Sequence, residues 1–268
     1  MARYKAMAEG IRSLETLRGL KEPELVQLFM GACSSVEKVQ QAILLDILQR
    51  NAQTEFGKAH GFGSIRSVED FRRQTPVCEW ADLEPYAKRM EQGEKDLLFA
   101  GQPTHFVSTS GTTGKMKLLP ESAEGELAKS LTSRIRTALL VKMAPELMEG
   151  FFIPMSNVAV MGNTAGGIPY GYASGLTLAG ASPEIRRRMA FPPDILRTSN
   201  ADTLDYLIVR YAMAQPQVRL VVGNNPGRLT SLLETANKRR DSLIADIEQG
   251  ALSKELALEP ELRSALEP

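Results

Sequence analysis

The chain has almost none of the residues that build disulfide scaffolds or zinc sites. Its 268 residues contain two cysteines, Cys33 and Cys78, and two histidines, His60 and His105. So few thiols exclude a disulfide framework and make a reducing cytoplasm the expected compartment. Both cysteines are read as buried, inert thiols. No Cys/His pair has the spacing of a zinc site, so no metal centre held by the protein is expected. Net charge is missing as well: Lys+Arg and Asp+Glu both number 32, leaving no field that favours nucleic acid or an anionic membrane as partner. Apolar runs stay short. Tyr206-Leu207-Ile208-Val209 stops at Arg210, well below the ~20 residues a membrane span requires. Met1-Ala2-Arg3-Tyr4-Lys5 leads into charge rather than an apolar core, so no secretory signal is expected. Internal repeats and low-complexity linkers are also lacking. What remains is the composition of an ordinary globular chain, long enough for one large domain or two smaller ones.

Against that plain background one stretch stands out: Ser108-Thr109-Ser110-Gly111-Thr112-Thr113-Gly114-Lys115-Met116-Lys117. It combines hydroxyls, two glycines and two lysines without an acid, and it follows the apolar run His105-Phe106-Val107. Hydroxyls and a turning backbone can aim O–H and N–H donors at anionic oxygens, and a lysine adds charge, which is the chemistry of a polyphosphate cradle. The stretch is not a Walker A sequence, which needs four residues between its glycines and then Lys-Ser/Thr. By composition alone it fits equally a polar connection between a strand and a helix.

The surrounding pattern alternates helices and strands. Ser34 and Glu37 have capping-box spacing ahead of a helix whose apolar face is Val36, Val39, Ile43 and Ile47, with Leu44 and Leu48 beside them. Ser67 and Asp70 can cap a short helix carrying Phe71, which Thr75-Pro76 ends. Pro85 to Met90 reads as a second short helix and Thr104 to Ser108 as a strand. A long helix is expected from about Ser122 to Lys142. Phe151–Ile153 and Val158–Met161 read as strands, Ile185–Met189 and Asp202–Met213 as helices, Val218–Val222 as a buried strand and Pro226–Glu248 as one long helix. Ser253–Pro268 is charged and weakly amphipathic, consistent with either a helix or a fraying end. This alternation predicts an α/β architecture. Gly162 to Gly180 is rich in Gly, Ala, Ser and Tyr, a composition that lets a ligand approach backbone closely; it reads equally as a close-packed turn. Arg134 and Arg136 can pair with a carboxylate but are assigned to a solvated helix face, Trp80 to an aromatic core position, and both histidines to packing or hydrogen bonding.

Thr109-Ser110-Gly111-Thr112-Thr113-Gly114-x-x-Lys117 resembles the phosphate-binding loop of adenylate-forming enzymes such as acyl-CoA synthetases, luciferases and peptide-synthetase adenylation domains. Met116 stands where that loop usually has proline, and Leu118 where glycine is common. The flanks narrow the resemblance. Asn51-x-x-Thr54-x-Phe56-Gly57-Lys58-x-His60-Gly61-Phe62 is similar to the upstream signature of the auxin-responsive acyl-acid amido synthetases and their bacterial relatives. So are Ile65, Glu69-Asp70-Phe71, Pro76-Val77, Asp82-Leu83, Pro85-Tyr86, Arg89, Gly93-Glu94, Lys117-Leu118-Leu119-Pro120, Gly166-Gly167-Ile168-Pro169 and Asp246-Ile247-x-x-Gly250. Plant members often carry one more residue in the loop, which sets this version closer to bacterial ones.

The resemblance implies a helical N-terminal segment (1–60), an incomplete adenylation-type α/β domain (61–252) with a β-sheet flanked by helices and its phosphate loop at 108–117, and a charged tail (253–268). It implies ATP, with Mg2+ bound alongside the nucleotide, attacked by a carboxylic acid to give an acyl-adenylate. An amine or amino acid then takes the acyl group as an amide. Lys117 is the implied catalytic lysine. Ser108, Thr109, Ser110, Gly111, Thr112, Thr113 and Gly114 are the implied nucleotide-binding residues, and Gly166, Gly167, Tyr170 and Ser174 are taken as the wall of the acyl-substrate pocket. The family's downstream Tyr/Ser/Glu and Tyr-Arg-x-Gly-Asp segments are not found in these residues. The expectation is therefore an N-terminal half, completed by a C-terminal half or partner subunit, with a non-catalytic binding module as the alternative.

Overall fold

A computed structural model describes residues 14–109, 116–198, 200–223 and 225–267. Its architecture is the expected mixed α/β arrangement. The helices are α1 (Glu22–Ala32), α2 (Val36–Arg50), α3 (Glu55–Ala59), α4 (Val68–Gln74), α5 (Trp80–Glu91) and α6 (Ala123–Met143), followed by α7 (Ala173–Ala179), α8 (Pro183–Arg187), α9 (Ala201–Met213), α10 (Pro226–Lys238), α11 (Arg240–Gln249) and α12 (Pro260–Leu266). The strands are β1 (His105–Thr109), β2 (Lys117–Glu121), β3 (Phe151–Pro154), β4 (Gly162–Asn163), β5 (Pro169–Gly171) and β6 (Val218–Val222). One sheet has the order β2-β1-β5-β4, and β3 pairs with β6 in parallel. Among the described residues no helix is long and apolar enough to cross a membrane. The chain divides into two compact units, one of Met1–Phe106, Leu118–Met143 and Asn163–Pro169, the other of Val107–Lys117, Ala144–Gly162 and Tyr170–Pro268.

In the first unit α2 forms where the periodicity places it, but its buried face is rotated. Val39 and Leu48 are buried while Val36 and Ile47 are exposed, because Leu44, Leu45 and Leu48 are the residues that meet Phe62, Ile65, Phe56 and Phe71. The Ser34/Glu37 box does not form. The N-cap is Ser35, which makes no side-chain cap bond, and the Ser34 and Ser35 N–H groups close the turn after α1 onto the Gly31 and Ala32 carbonyls. Cys33 in that turn is exposed and Cys78 half-buried, so Cys33 is not a buried thiol. The α4 cap holds as expected, with Ser67 Oγ accepting from Asp70 N–H at 3.0 Å. Helix α5 begins at Trp80, earlier than expected, with Pro85 inside its first turns, and Trp80 is only half-buried. Arg134 does not sit on a solvated face. It binds Glu22 Oε1 (3.1 Å), the Arg18 carbonyl (3.2 Å) and the Leu20 carbonyl, fastening α6 to the start of α1.

The upstream signature turns out to be a clamp on one loop. Asn51 Nδ2 donates to the Ile47 carbonyl and its Oδ1 accepts from Ala100 N–H, both at 2.8 Å. Thr54 Oγ1 donates to the Asn51 carbonyl (2.8 Å) and accepts from Gly57 N–H (2.9 Å). A side chain at Gly57 would put its Cβ 2.0 Å from the Asn51 carbonyl oxygen, so only glycine fits. Glu55 and Phe56 then donate their N–H groups to the Asp96 and Leu97 carbonyls (2.8 and 3.0 Å). Asp96 closes the loop by exchanging bonds with Gly101 at a left-handed φ of 56°. Arg89 holds Glu55 through a two-pronged pair (2.8 Å each) and also binds Glu94. Those bonds to Arg89 hold both carboxyls below the usual range.

The second unit contains the larger core, built on α9, whose residues Leu204, Tyr206, Leu207 and Ile208 are almost fully buried. The strand expected at Val158–Met161 is absent; that segment is irregular and packs against the glycines of β5 and α7. The helix expected over Pro226–Glu248 is two helices meeting at Arg239, which ends α10 and begins α11. The tail is docked: Leu256, Leu262 and Leu266 join the core, and Tyr211 Oη donates to the Leu266 carbonyl at 2.9 Å. Asp246 anchors this end, accepting from Tyr206 Oη (2.8 Å) and Ser253 N–H (2.7 Å), and Gly250 ends α11 at φ 65°. Burial, reinforced by the Asp246 carboxylate, pushes the Tyr206 phenol well above its ordinary range.

Candidate functional site

Strand β1 alternates inward and outward residues, so Phe106 and Ser108 are buried and Thr109 is half-buried where the strand runs out. Ser110, Gly111, Thr112, Thr113 and Gly114, with Lys115, lie outside the described residues. The described chain resumes at Met116, which is exposed, and Lys117 opens β2 half-buried. The loop thus connects two adjacent strands. It is not a strand-to-helix connection, because β2 intervenes and α6 starts only at Ala123. A loop clasped between neighbouring strands has both ends held by a sheet, and Thr109 and Lys117 are those ends. A hydroxyl and an ammonium on either side of a glycine-rich sequence suit an anion.

The four residues assigned to an acyl pocket fall in two places. Gly166 and Gly167 make a tight turn in the first unit: Gly167 N–H donates to the Thr164 carbonyl (2.9 Å) and Thr164 N–H to the Ile168 carbonyl (2.8 Å). Gly166 N–H reaches the Glu91 carbonyl at 2.8 Å, and a Cβ on Gly166 would lie 2.6 Å from Gly93 N. The close approach of Gly93 and Gly166 gives both signature glycines a packing reason.

Tyr170 and Ser174 belong to the second unit. The Tyr170 ring lies against Gly162, where a Cβ would come within 2.9 Å of its hydroxyl. Ser174 Oγ accepts from Asn157 N–H at 3.2 Å. Gly171 and Gly175 bring α7 onto the 157–160 backbone, and a Cβ at Gly171 would stand 1.9 Å from the Ala159 carbonyl oxygen.

Residues that the sequence reading did not single out brace this region. Arg228 on α10 donates to both oxygens of Asp205 on α9 (2.6 Å to Oδ2) and to the Ser156 carbonyl (3.0 Å). Ser231 Oγ adds a bond to Asp205 Oδ2 at 2.9 Å. Ser156 precedes Asn157, so the buried pair fixes the segment that Ser174 holds from its other side. Nothing in the spacing of Asp205 and Arg228 announces the pair, since they lie on different helices. A depression of about 400 Å3 lined by Arg187, Phe191, Pro193 and Tyr211 occurs elsewhere in the same unit and includes none of the expected pocket residues.

Comparison with known proteins agrees with the architecture. The family model for the GH3 family N-terminal domain matches residues 25–268. The indole-3-acetic acid-amido synthetase GH3.5 of Arabidopsis thaliana is 27% identical over 163 residues, which is 60% of this chain and 27% of that protein. The putative indole-3-acetic acid-amido synthetase GH3.10 of Oryza sativa subsp. japonica is 32% identical over 146 residues, 52% of this chain and 30% of that one. Among solved structures, the GH3.15 acyl acid amido synthetase superposes with a TM-score of 0.77 at 22% identity, covering 90% of this chain and 46% of that one. The AtGH3.15 acyl acid amido synthetase in complex with 2,4-DB gives 0.78 at 21% identity, covering 91% and 43%. At such identity the likeness is one of fold. The chain spans less than a third of these curated relatives and less than half of the solved ones.

Proposed function

This chain belongs to the GH3 family, and from that premise we propose that its β1–β2 loop binds the phosphates of ATP for adenylation of a carboxylic acid, followed by transfer of the acyl group to an amine or amino acid. The observation that carries this reading is the sequence Thr109-Ser110-Gly111-Thr112-Thr113-Gly114-x-x-Lys117 set between two adjacent strands in a chain matched by the family model. In the first step a carboxylate oxygen attacks the α-phosphorus and pyrophosphate leaves; in the second an amine attacks the acyl carbon and AMP leaves. The protein's part is to neutralise and orient the triphosphate. Backbone N–H groups at Gly111 and Gly114 and the hydroxyls of Ser108, Thr109, Ser110, Thr112 and Thr113 would take the β- and γ-phosphates, with Mg2+ accompanying the nucleotide. Lys117 is the lysine assigned to steady the phosphates.

Gly166, Gly167, Tyr170 and Ser174 are the residues proposed for the acyl side. The names of the relatives support an acid as large as indole-3-acetic acid or 2,4-DB as substrate class. The short loop supports a place near bacterial members, and two cysteines in 268 residues support a reducing cytoplasm. Because the solved relatives are more than twice as long as the matched part, activity is assigned to the chain together with a C-terminal half. The alternative is a binding or partner subunit without catalysis.

Calorimetric titration with ATP and Mg2+ tests the binding claim directly. Saturable binding at or below millimolar nucleotide, weakened by Lys117→Ala, is expected; no heat at millimolar ATP overturns it. AMP release from a carboxylate panel, with the chain joined to a C-terminal half, separates catalysis from binding alone.

A further inference from the structure

The hollow between α8, the strip that follows it and the end of α9 has no part in the adenylation chemistry. It holds about 400 Å3, and its lining includes Arg186, Arg187, Phe191, Pro192, Pro193 and Tyr211. That volume falls in the usual range of small-molecule sites, which are mainly apolar with a few placed polar groups. Its walls are fixed. Phe152 N–H donates to the Arg188 carbonyl and its C=O accepts from Ala190 N–H, each at 2.9 Å, so the strip runs beside β3. It leads directly to Phe191, which is 3% exposed, and then to two prolines. Tyr211 Oη donates to the Leu266 carbonyl at 2.9 Å, and the Arg210 guanidinium lies 4.8 Å from the Tyr211 ring centroid; both hold the ring in place.

The rim carries more positive charge than neighbouring acids balance. Arg186, Arg187 and Arg188 are consecutive. Arg186 Nε donates to the Ala181 carbonyl at 2.9 Å and its Nη2 to the Ala179 carbonyl. Arg188 Nη2 donates to the Leu147 and Gly150 carbonyls at 2.7 and 3.1 Å. Carbonyl oxygens orient a guanidinium without cancelling its charge. Among the described residues the one acid paired with the three arginines is Glu184, 3.5 Å from Arg187 on an exposed surface where such pairs are weak. Asp194, the next acid along the chain, pairs instead with Arg197 at 3.6 Å. Arg186 therefore lines the hollow with its position set by backbone and its charge uncancelled.

We infer that this hollow binds a small carboxylate with a flat apolar body, its oxygens on Arg186 and its rings against Phe191, Pro193 and Tyr211. A guanidinium receives a carboxylate in the plane of its N–H groups, two oxygens to two donors. A lining of rings and prolines favours an aromatic or fused-ring body over a sugar or a strongly hydrated chain. The hollow contains none of the residues proposed for ATP or for the acyl side. Binding here needs neither nucleotide nor a C-terminal half, so this inference and adenylation can fail separately.

The test is calorimetric titration of the 268-residue chain with 1-naphthoate, without nucleotide, and with 1-naphthalenemethanol as the uncharged control. Saturable binding at or below millimolar naphthoate is expected, about tenfold or more weaker for the alcohol and for Arg186→Gln. Ala214→Trp, which fills the hollow from the exposed residue that caps α9, should abolish it. No saturation at millimolar naphthoate overturns the inference, as does an alcohol that binds as well as the acid. Binding that survives Ala214→Trp also overturns it, since the ligand then sits elsewhere, the proposed acyl side included. Should Arg186→Gln not fold once its two carbonyls lose their donor, Arg187→Glu decides: it reverses an exposed charge at the rim and should weaken the acid but not the alcohol. Unchanged naphthoate affinity in the variant that folds overturns the inference.

Discussion

Replacing Arg228 with methionine should cost the second unit a large share of its stability. Arg228 and Asp205 are 14% and 8% exposed at the side chain, so the carboxylate left behind cannot recruit water freely and keeps, among the described residues, only Ser231 as a side-chain donor. Breaking a buried pair from one side typically costs about 3–5 kcal/mol, against about 5–15 kcal/mol for a whole domain. The Ser156 carbonyl loses its partner as well, which acts in the same direction. The double variant Asp205→Leu/Arg228→Met removes both charges and should recover about 2 kcal/mol or more. Because the chain has two units, one global unfolding midpoint would blur the effect. Amide exchange of α9 isolates it, and fluorescence of Trp80, the only tryptophan, reports on the first unit. A loss below about 1 kcal/mol for Arg228→Met, or a double variant no better than the single, would show that the pair does not hold α9 to α10.

Further consequences can be checked in parallel. In a chain joined to its C-terminal half, Lys117→Ala should lower pyrophosphate exchange by ~10²–10³ while Lys115→Ala changes it little; equal losses would remove Lys117 from its assigned role. Tyr206 holds its proton in the folded state to higher pH than the unfolded chain does, so stability should be full below about pH 10 and fall as the unfolded phenol ionises above it. Tyr206→Phe should flatten that alkaline limb in pH-dependent urea melts. Gly171→Ala, whose Cβ meets the Ala159 carbonyl oxygen, should cost more than about 4 kcal/mol. Gly250→Ala, strained by its φ of 65° but sterically open, should cost about 1 kcal/mol, and thermal melts would separate the two.

Where local chemistry decides, the sequence was legible. α6 and α9 form where helices were expected over Ser122–Lys142 and Asp202–Met213, and the α4 cap follows from Ser67 and Asp70. What escaped depends on partners distant in the chain. The rotated face of α2 is set by Phe62 and Ile65, and Arg134 is drawn to α1 rather than to water. Val158–Met161 has strand composition, but the glycines of β5 and α7 crowd its backbone, and no strand forms there. The break at Arg239 has no proline or glycine to announce it. At the site, a strand leading into residues 108–117 was legible from residue order, and β2 between loop and helix was not. Asp205 and Arg228, remote from any motif, were invisible.

The Asn51 clamp has a consequence for how this chain can vary. Three bonds spaced along 96–100 meet partners fixed on the end of α2 and on α3. A residue added or deleted between Asp96 and Gly101 would misalign all of them together, so this surface loop is a gauge of fixed length. Homologues should differ there by substitution and hardly ever by insertion, although the loop's outer residues face water.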